Sequence, residues 1–97
     1  MERWELRRGE EALGVISLTS LDQPWLNGEF IPTASFEQVG LIFEEELRLL
    51  NEDQLEEWEK CYDRIDALGL SLHSLSSGRV VREFVLHIDG KDACFRY

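Results

Sequence analysis

Hydrophobic and polar positions alternate at the start of the chain. Across residues 3–8, Trp4 and Leu6 fall on one face and Arg3, Glu5 and Arg7 on the other, the period of a half-buried strand. Gly9-Glu10 reads as a turn. Residues 12–19 (ALGVISLT) are apolar on both faces, which predicts a central, covered strand. Loops of two and of three residues both pair these strands tolerably, so the register of this hairpin stays open. In 20–34, Pro24 and Asn27-Gly28 are turn signals, with Trp25 and Phe30 flanking the second in a short irregular hairpin, and Pro32 ends any strand.

The period then becomes helical. Ser35 and Gln38 fit a capping box, and Phe36, Val39, Phe43, Leu47 and Leu50 form one stripe, with Ile42 and Leu49 on its edge. Leu41 falls on the polar side and does not fit. Asn51 breaks this helix and, with Gln54 three residues on, caps a second over about 52–68, whose stripe is Leu55, Trp58, Tyr62 and Ile65. Gly69 suits its C-terminal cap, and the short joint predicts an antiparallel helix hairpin.

Alternation returns in the last third. Asp89-Gly90 is a strong two-residue hairpin turn. Pairing outward from it sets Leu86 against Ala93, Phe84 against Phe95, Glu83 against Arg96, Val85 against Cys94 and His87 against Asp92. Phe84, Leu86, Ile88, Ala93, Phe95 and Tyr97 then share one face; Glu83, Val85, His87, Asp92, Cys94 and Arg96 share the other. A three-residue loop, Ser76-Ser77-Gly78, places Leu70 against Phe84, Leu72 against Arg82 and His73 near Val81, leaving Arg82 to snorkel at the edge. The sum is one α+β domain over residues 1–97: an antiparallel sheet of about five strands with a two-helix hairpin on one face, in the order ββ(β)ααβββ.

Asp22-Gln23-Pro24-Trp25, the run Phe36 to Leu47, and Leu86-His87-Ile88-Asp89-Gly90 ending in Phe95-Arg96-Tyr97 resemble segments of a group of small uncharacterised bacterial proteins of about this length. The resemblance runs from the opening strand to the last residue. It implies a bacterial, single-domain protein and carries over no activity and no site.

Composition narrows the function. Twenty acids against ten bases give a formal charge of −10, which disfavours direct contact with a nucleic-acid backbone or an anionic membrane and favours cationic partners. Residues 35–68 hold eleven acids against three bases, a net −8, whereas 69–97 carry +1. Cys61 and Cys94 make no disulfide framework, the N-terminus lacks the apolar run of a signal peptide, and a cytoplasmic location is expected.

Candidate chemistry is sparse. His87, Cys94 and Asp92 share a face, but zinc wants four converging ligands, and His73 lies roughly 20 Å away at strand rise. Cys94 with His87 is the one nucleophilic dyad the register allows, on an open sheet face. The acidic runs, Glu44-Glu45-Glu46 among them, read as solvated helix faces with pairs such as Glu44–Arg48 and Glu56–Lys60. No metal site, cofactor or catalytic set is expected. The leading reading is therefore a non-catalytic acidic interaction protein, of inhibitor, immunity or antitoxin type. It would bind a basic protein through Glu45, Glu52, Glu56 and Asp63. In the loop 21–31, Trp25 and Phe30 are expected to plug the open end of the sheet; an exposed Trp25 would be an aromatic anchor instead. The alternative is a small-molecule-binding domain with an aromatic pocket between sheet and helices, lined by Trp4, Trp25, Phe36, Trp58 and Phe84. A homodimer through Val81, Val85 and Cys94 is compatible with either.

Overall fold

A computed structural model describes residues 2–97. The element order is β1 (Arg3–Arg8), β2 (Glu11–Asp22), β3 (Trp25–Pro32), a 3-10 turn (Ala34–Gln38), α1 (Gly40–Asn51), α2 (Leu55–Asp66), β4 (Leu70–Ser74), β5 (Val80–Val81), β6 (Val85–Asp89) and β7 (Asp92–Arg96). The α+β class and the helix pair agree with the reading of the sequence. The sheet has seven strands rather than five, ordered β5-β4-β1-β2-β3-β7-β6, with antiparallel pairing throughout. The doubly apolar β2 takes the central place that its pattern predicts.

Strands β5 and β6 occupy opposite edges, yet only Arg82-Glu83-Phe84 lie between them. Seven flat strands would span roughly 29 Å, whereas that connection reaches at most about 14 Å. The sheet must curl until its edges approach. Trp4, Leu6, Ile16, Phe30, Leu86 and Phe95 fill the concave side, and Val39, Phe43, Tyr62 and Ile65 of the helical segment join the same cluster. Each fully buried side chain of this kind contributes roughly 1.5–3 kcal/mol. Helix α2 also shields the free edge of β6. The Tyr62 hydroxyl accepts from the Leu86 amide at 2.8 Å and donates to the Phe84 carbonyl at 3.3 Å, so that edge is not left as a template for another strand.

The first hairpin adopts both tolerable registers. Arg8 pairs with Glu11 across the two-residue turn Gly9-Glu10; after an irregularity, Leu6 pairs with Gly14, the register of a three-residue loop. The extra residue is Leu13, which is fully buried. The second hairpin differs from expectation. Its turn is Gln23-Pro24, joined by a cis peptide, and Asn27-Gly28 lies within β3. Gly28 is there for space: a Cβ would stand 2.5 Å from the Ser17 carbonyl oxygen.

At the C-terminus the pairing is offset by two residues from the expected one. Asp89 faces Asp92 across Gly90-Lys91, His87 faces Cys94, Leu86 faces Phe95 and Val85 faces Arg96. An offset of two preserves every face, since the side-chain period is two. The strand expected to run from the Gly78 turn through Phe84 breaks at Arg82-Glu83-Phe84. Leu72 and His73 pair with Val81 and Val80, one residue off the prediction, and Phe84 does not face Leu70. Arg82 thus leaves the ladder.

The expected capping boxes do not form. No side chain caps the 3-10 turn, α1 or α2; Thr33 donates its hydroxyl to the Ala12 carbonyl instead, at 2.7 Å. The phase of α1 is also rotated. Phe43, Glu46 and Leu49 are buried and Leu47 and Leu50 half-buried, while Leu41 lies on the polar side as expected, 76% exposed. In α2, Trp58, Tyr62 and Ile65 face inward as expected, but Leu55 is exposed. No described helix is long and apolar enough to cross a membrane.

Candidate functional site

The convex face of β3, β7 and β6 presents alternate residues: Trp25 and Asn27, Cys94 and Arg96, His87 and Asp89. The core-facing phase of α1 brings Glu46 to this side of the β6 edge. Its carboxylate is fully buried and receives two side-chain contacts. Trp58 Nε1 donates to Oε2 at 2.6 Å, and His87 Nδ1 lies 2.9 Å from Oε1. Trp58 comes from α2 and His87 from β6, so one carboxylate ties both helices to the edge strand. Burying a carboxylate is costly unless hydrogen bonds replace its water; here each oxygen has a donor.

Glu46 was read from the sequence as one of three solvated acids, and that expectation fails. A signal was present: Glu46 stands three residues after Phe43 and three before Leu49, on the inward stripe. Leu47 and Leu50 obscure it, because these two apolar residues set the stripe one residue out of phase with the observed face.

His87 is held on several sides. Its ring packs at a tilt against Trp25, with centroids 5.3 Å apart, and the Arg96 guanidinium lies 5.5 Å from the Trp25 ring centre. The His87 side chain is 16% exposed. Its Nδ1 is turned to Glu46, and no described residue bonds to Nε2.

A cleft of about 380 Å³ opens over this network. Leu47 and Leu50 of α1 form an apolar wall, and His87 and Cys94 line the sheet side. Asp89, Asp92, Thr19 and Asn27 also line it. No Lys or Arg lines the cleft. Burial, and then the charge of Glu46, push the Cys94 thiol up, which opposes formation of a nucleophilic thiolate. Cys94 and His87 face each other directly rather than diagonally, but no hydrogen bond joins them. No group of three or more His, Cys, Asp or Glu able to hold a metal occurs among the described residues. His73 lies across the sheet on β4, bonded to the Ser71 hydroxyl at 2.9 Å.

The other expected residues disperse. Phe30 is buried in the core, and Trp25 is half-buried against His87. Trp4 packs on Phe95 and Tyr97, and Phe36 on Phe30 and Phe43, so the aromatics proposed to line one pocket do not share a cavity. Of the acidic set, Glu45 bonds Arg64 at 2.9 Å and Glu52 bonds Arg48 at 3.2 Å, while Glu56 and Asp63 are exposed. Lys60 pairs with Glu57 rather than Glu56. Val81, expected on a dimer face, is buried. Compared with protein-family models, curated protein sequences and solved structures, the chain matches none.

Proposed function

We propose that this protein is a non-catalytic small-molecule-binding domain whose site is the cleft between α1 and the convex face of β3, β7 and β6. The observation that carries this reading is the fully buried Glu46 holding His87 at the cleft. A fold of this size gains nothing in stability from such a carboxylate that an apolar residue of similar volume would not supply. Its use is to orient an imidazole, and a ligand is what an oriented imidazole serves. The cleft volume falls in the range of small-molecule sites, and its lining combines an apolar wall with a few convergent polar groups. The raised Cys94 thiol favours binding over thiolate catalysis.

The test is a fragment screen by nuclear magnetic resonance on the wild type and on His87→Ala. Ligands that shift the amides of 87–94 in the wild type, and bind at least about tenfold more weakly to the variant, support the reading. A screen without shifts in that segment rejects it.

A second reading keeps the acidic helices as a docking face for a basic protein. Glu56 and Asp63 support it, being exposed and without an ion pair among the described residues. Capture from host lysate with wild type and with Glu56→Lys/Asp63→Lys should differ in a salt-sensitive basic protein; identical captures reject it.

A further inference from the structure

We infer that the occupant of the cleft is a small organic cation that donates hydrogen bonds, such as an alkyl- or arylalkylammonium; this rests on the ligand-binding reading above. The free charged groups around the cleft are carboxylates. His87 turns Nδ1 to Glu46 and carries no bond from a described residue at Nε2. Asp89 and Asp92 offer carboxylates, and neither carboxylate has a hydrogen bond or ion pair among the described residues. These two acids stand directly opposite each other across β6 and β7, an arrangement that costs stability in the free protein and is relieved by a cation between them.

The surroundings select the same class. No Lys or Arg lines the cleft, and the chain carries −10 overall, so an anion would meet net repulsion. A bare divalent metal is disfavoured by the lack of three convergent ligands among the described residues. The wall of Leu47 and Leu50 needs an apolar body to cover it, which an organic cation supplies and a hydrated ion does not. At about 380 Å³ the space admits a small molecule and excludes a folded peptide.

Three probes of one shape and different charge test this: 2-phenylethylammonium, 2-phenylethanol and phenylacetate, each titrated into the ¹⁵N-labelled protein at low salt. The expected order is ammonium, then alcohol about tenfold weaker, then carboxylate, with the gap narrowing as salt rises. Asp89→Asn/Asp92→Asn should bring the ammonium to the level of the alcohol and leave the alcohol unchanged. Both positions are exposed at a turn, and a wild-type-like spectrum verifies that the variant is folded. Equal binding of ammonium and alcohol, stronger binding of the carboxylate, or an ammonium affinity unchanged in the variant would each overturn the cationic assignment while shifts at the cleft keep it as a binding site. An absence of shifts with all three probes would overturn the cleft and the cation together.

Discussion

Glu46 and His87, 41 residues apart in the chain, meet through Oε1 and Nδ1 at 2.9 Å behind a helix that hides the carboxylate completely from solvent. The contact links the first helix to an edge strand that is formed near the end of the chain. It explains how a half-buried histidine on a convex sheet face can hold one orientation, and why the indole of Trp58 turns toward α1.

Removing the carboxylate should leave two part-buried ring nitrogens without a partner. Glu46→Ala is expected to lower unfolding free energy by about 3 kcal/mol, with Glu46→Gln milder because its amide oxygen still accepts from Trp58. Urea denaturation measures the difference through the midpoint at constant m, and the Trp58 indole proton should shift upfield in both variants. Equal stability of Glu46→Ala and wild type would mean that the network is not formed.

Tyr62 gives a pH dependence. Burial pushes its hydroxyl up from 10.0 to about 12, so the unfolded chain ionises this group first. The stabilisation is complete below pH 10, declines as pH rises, and is lost once pH passes about 12. Its full size is about 3 kcal/mol. Tyr62→Phe should flatten this part of the profile. At neutral pH it should cost about 1–3 kcal/mol, through the unpaired Leu86 amide. A titration of denaturation midpoints from pH 9 to 12 on both proteins checks the sign and the source.

Gly28→Ala places a methyl 2.5 Å from the Ser17 carbonyl oxygen and 2.8 Å from Ile16 Cγ2. The β2–β3 ladder must open to admit it, at a cost of roughly 1–3 kcal/mol. Gly28 also borders the cleft, so ligand shifts should weaken together with stability. A melting temperature equal to that of wild type would show that the two strands separate more easily than their pairing implies.

The phase of α1 can be read by two leucines. Leu49 is 5% exposed and Leu41 76%. Leu49→Ala should cost about 2–5 kcal/mol, whereas Leu41→Ser should stay within about 0.5 kcal/mol. Similar losses at both positions would contradict the observed rotation of the helix.

Local chemistry in the sequence was enough for much of this fold. Strict alternation around Trp4 and Leu6 determined a strand and its inward face, and the doubly apolar 12–19 segment determined a central one. The stripe from Trp58 to Ile65 determined which side of the second helix is buried. Even the misplaced C-terminal register kept its faces, because an offset of two preserves side-chain direction. The candidate site was hidden for a physical reason. Whether Glu46 is solvated or buried depends on a rotation of α1 by about one residue, which is set by how the helix packs on β6 and not by its own pattern. That His87 meets Glu46 and Trp25 depends on β6 leaving its neighbour in sequence, β5, for the opposite edge of the sheet. Only closure of the curled sheet, driven by burial of its concave face, brings those long-range partners together; no spacing along the chain encodes it.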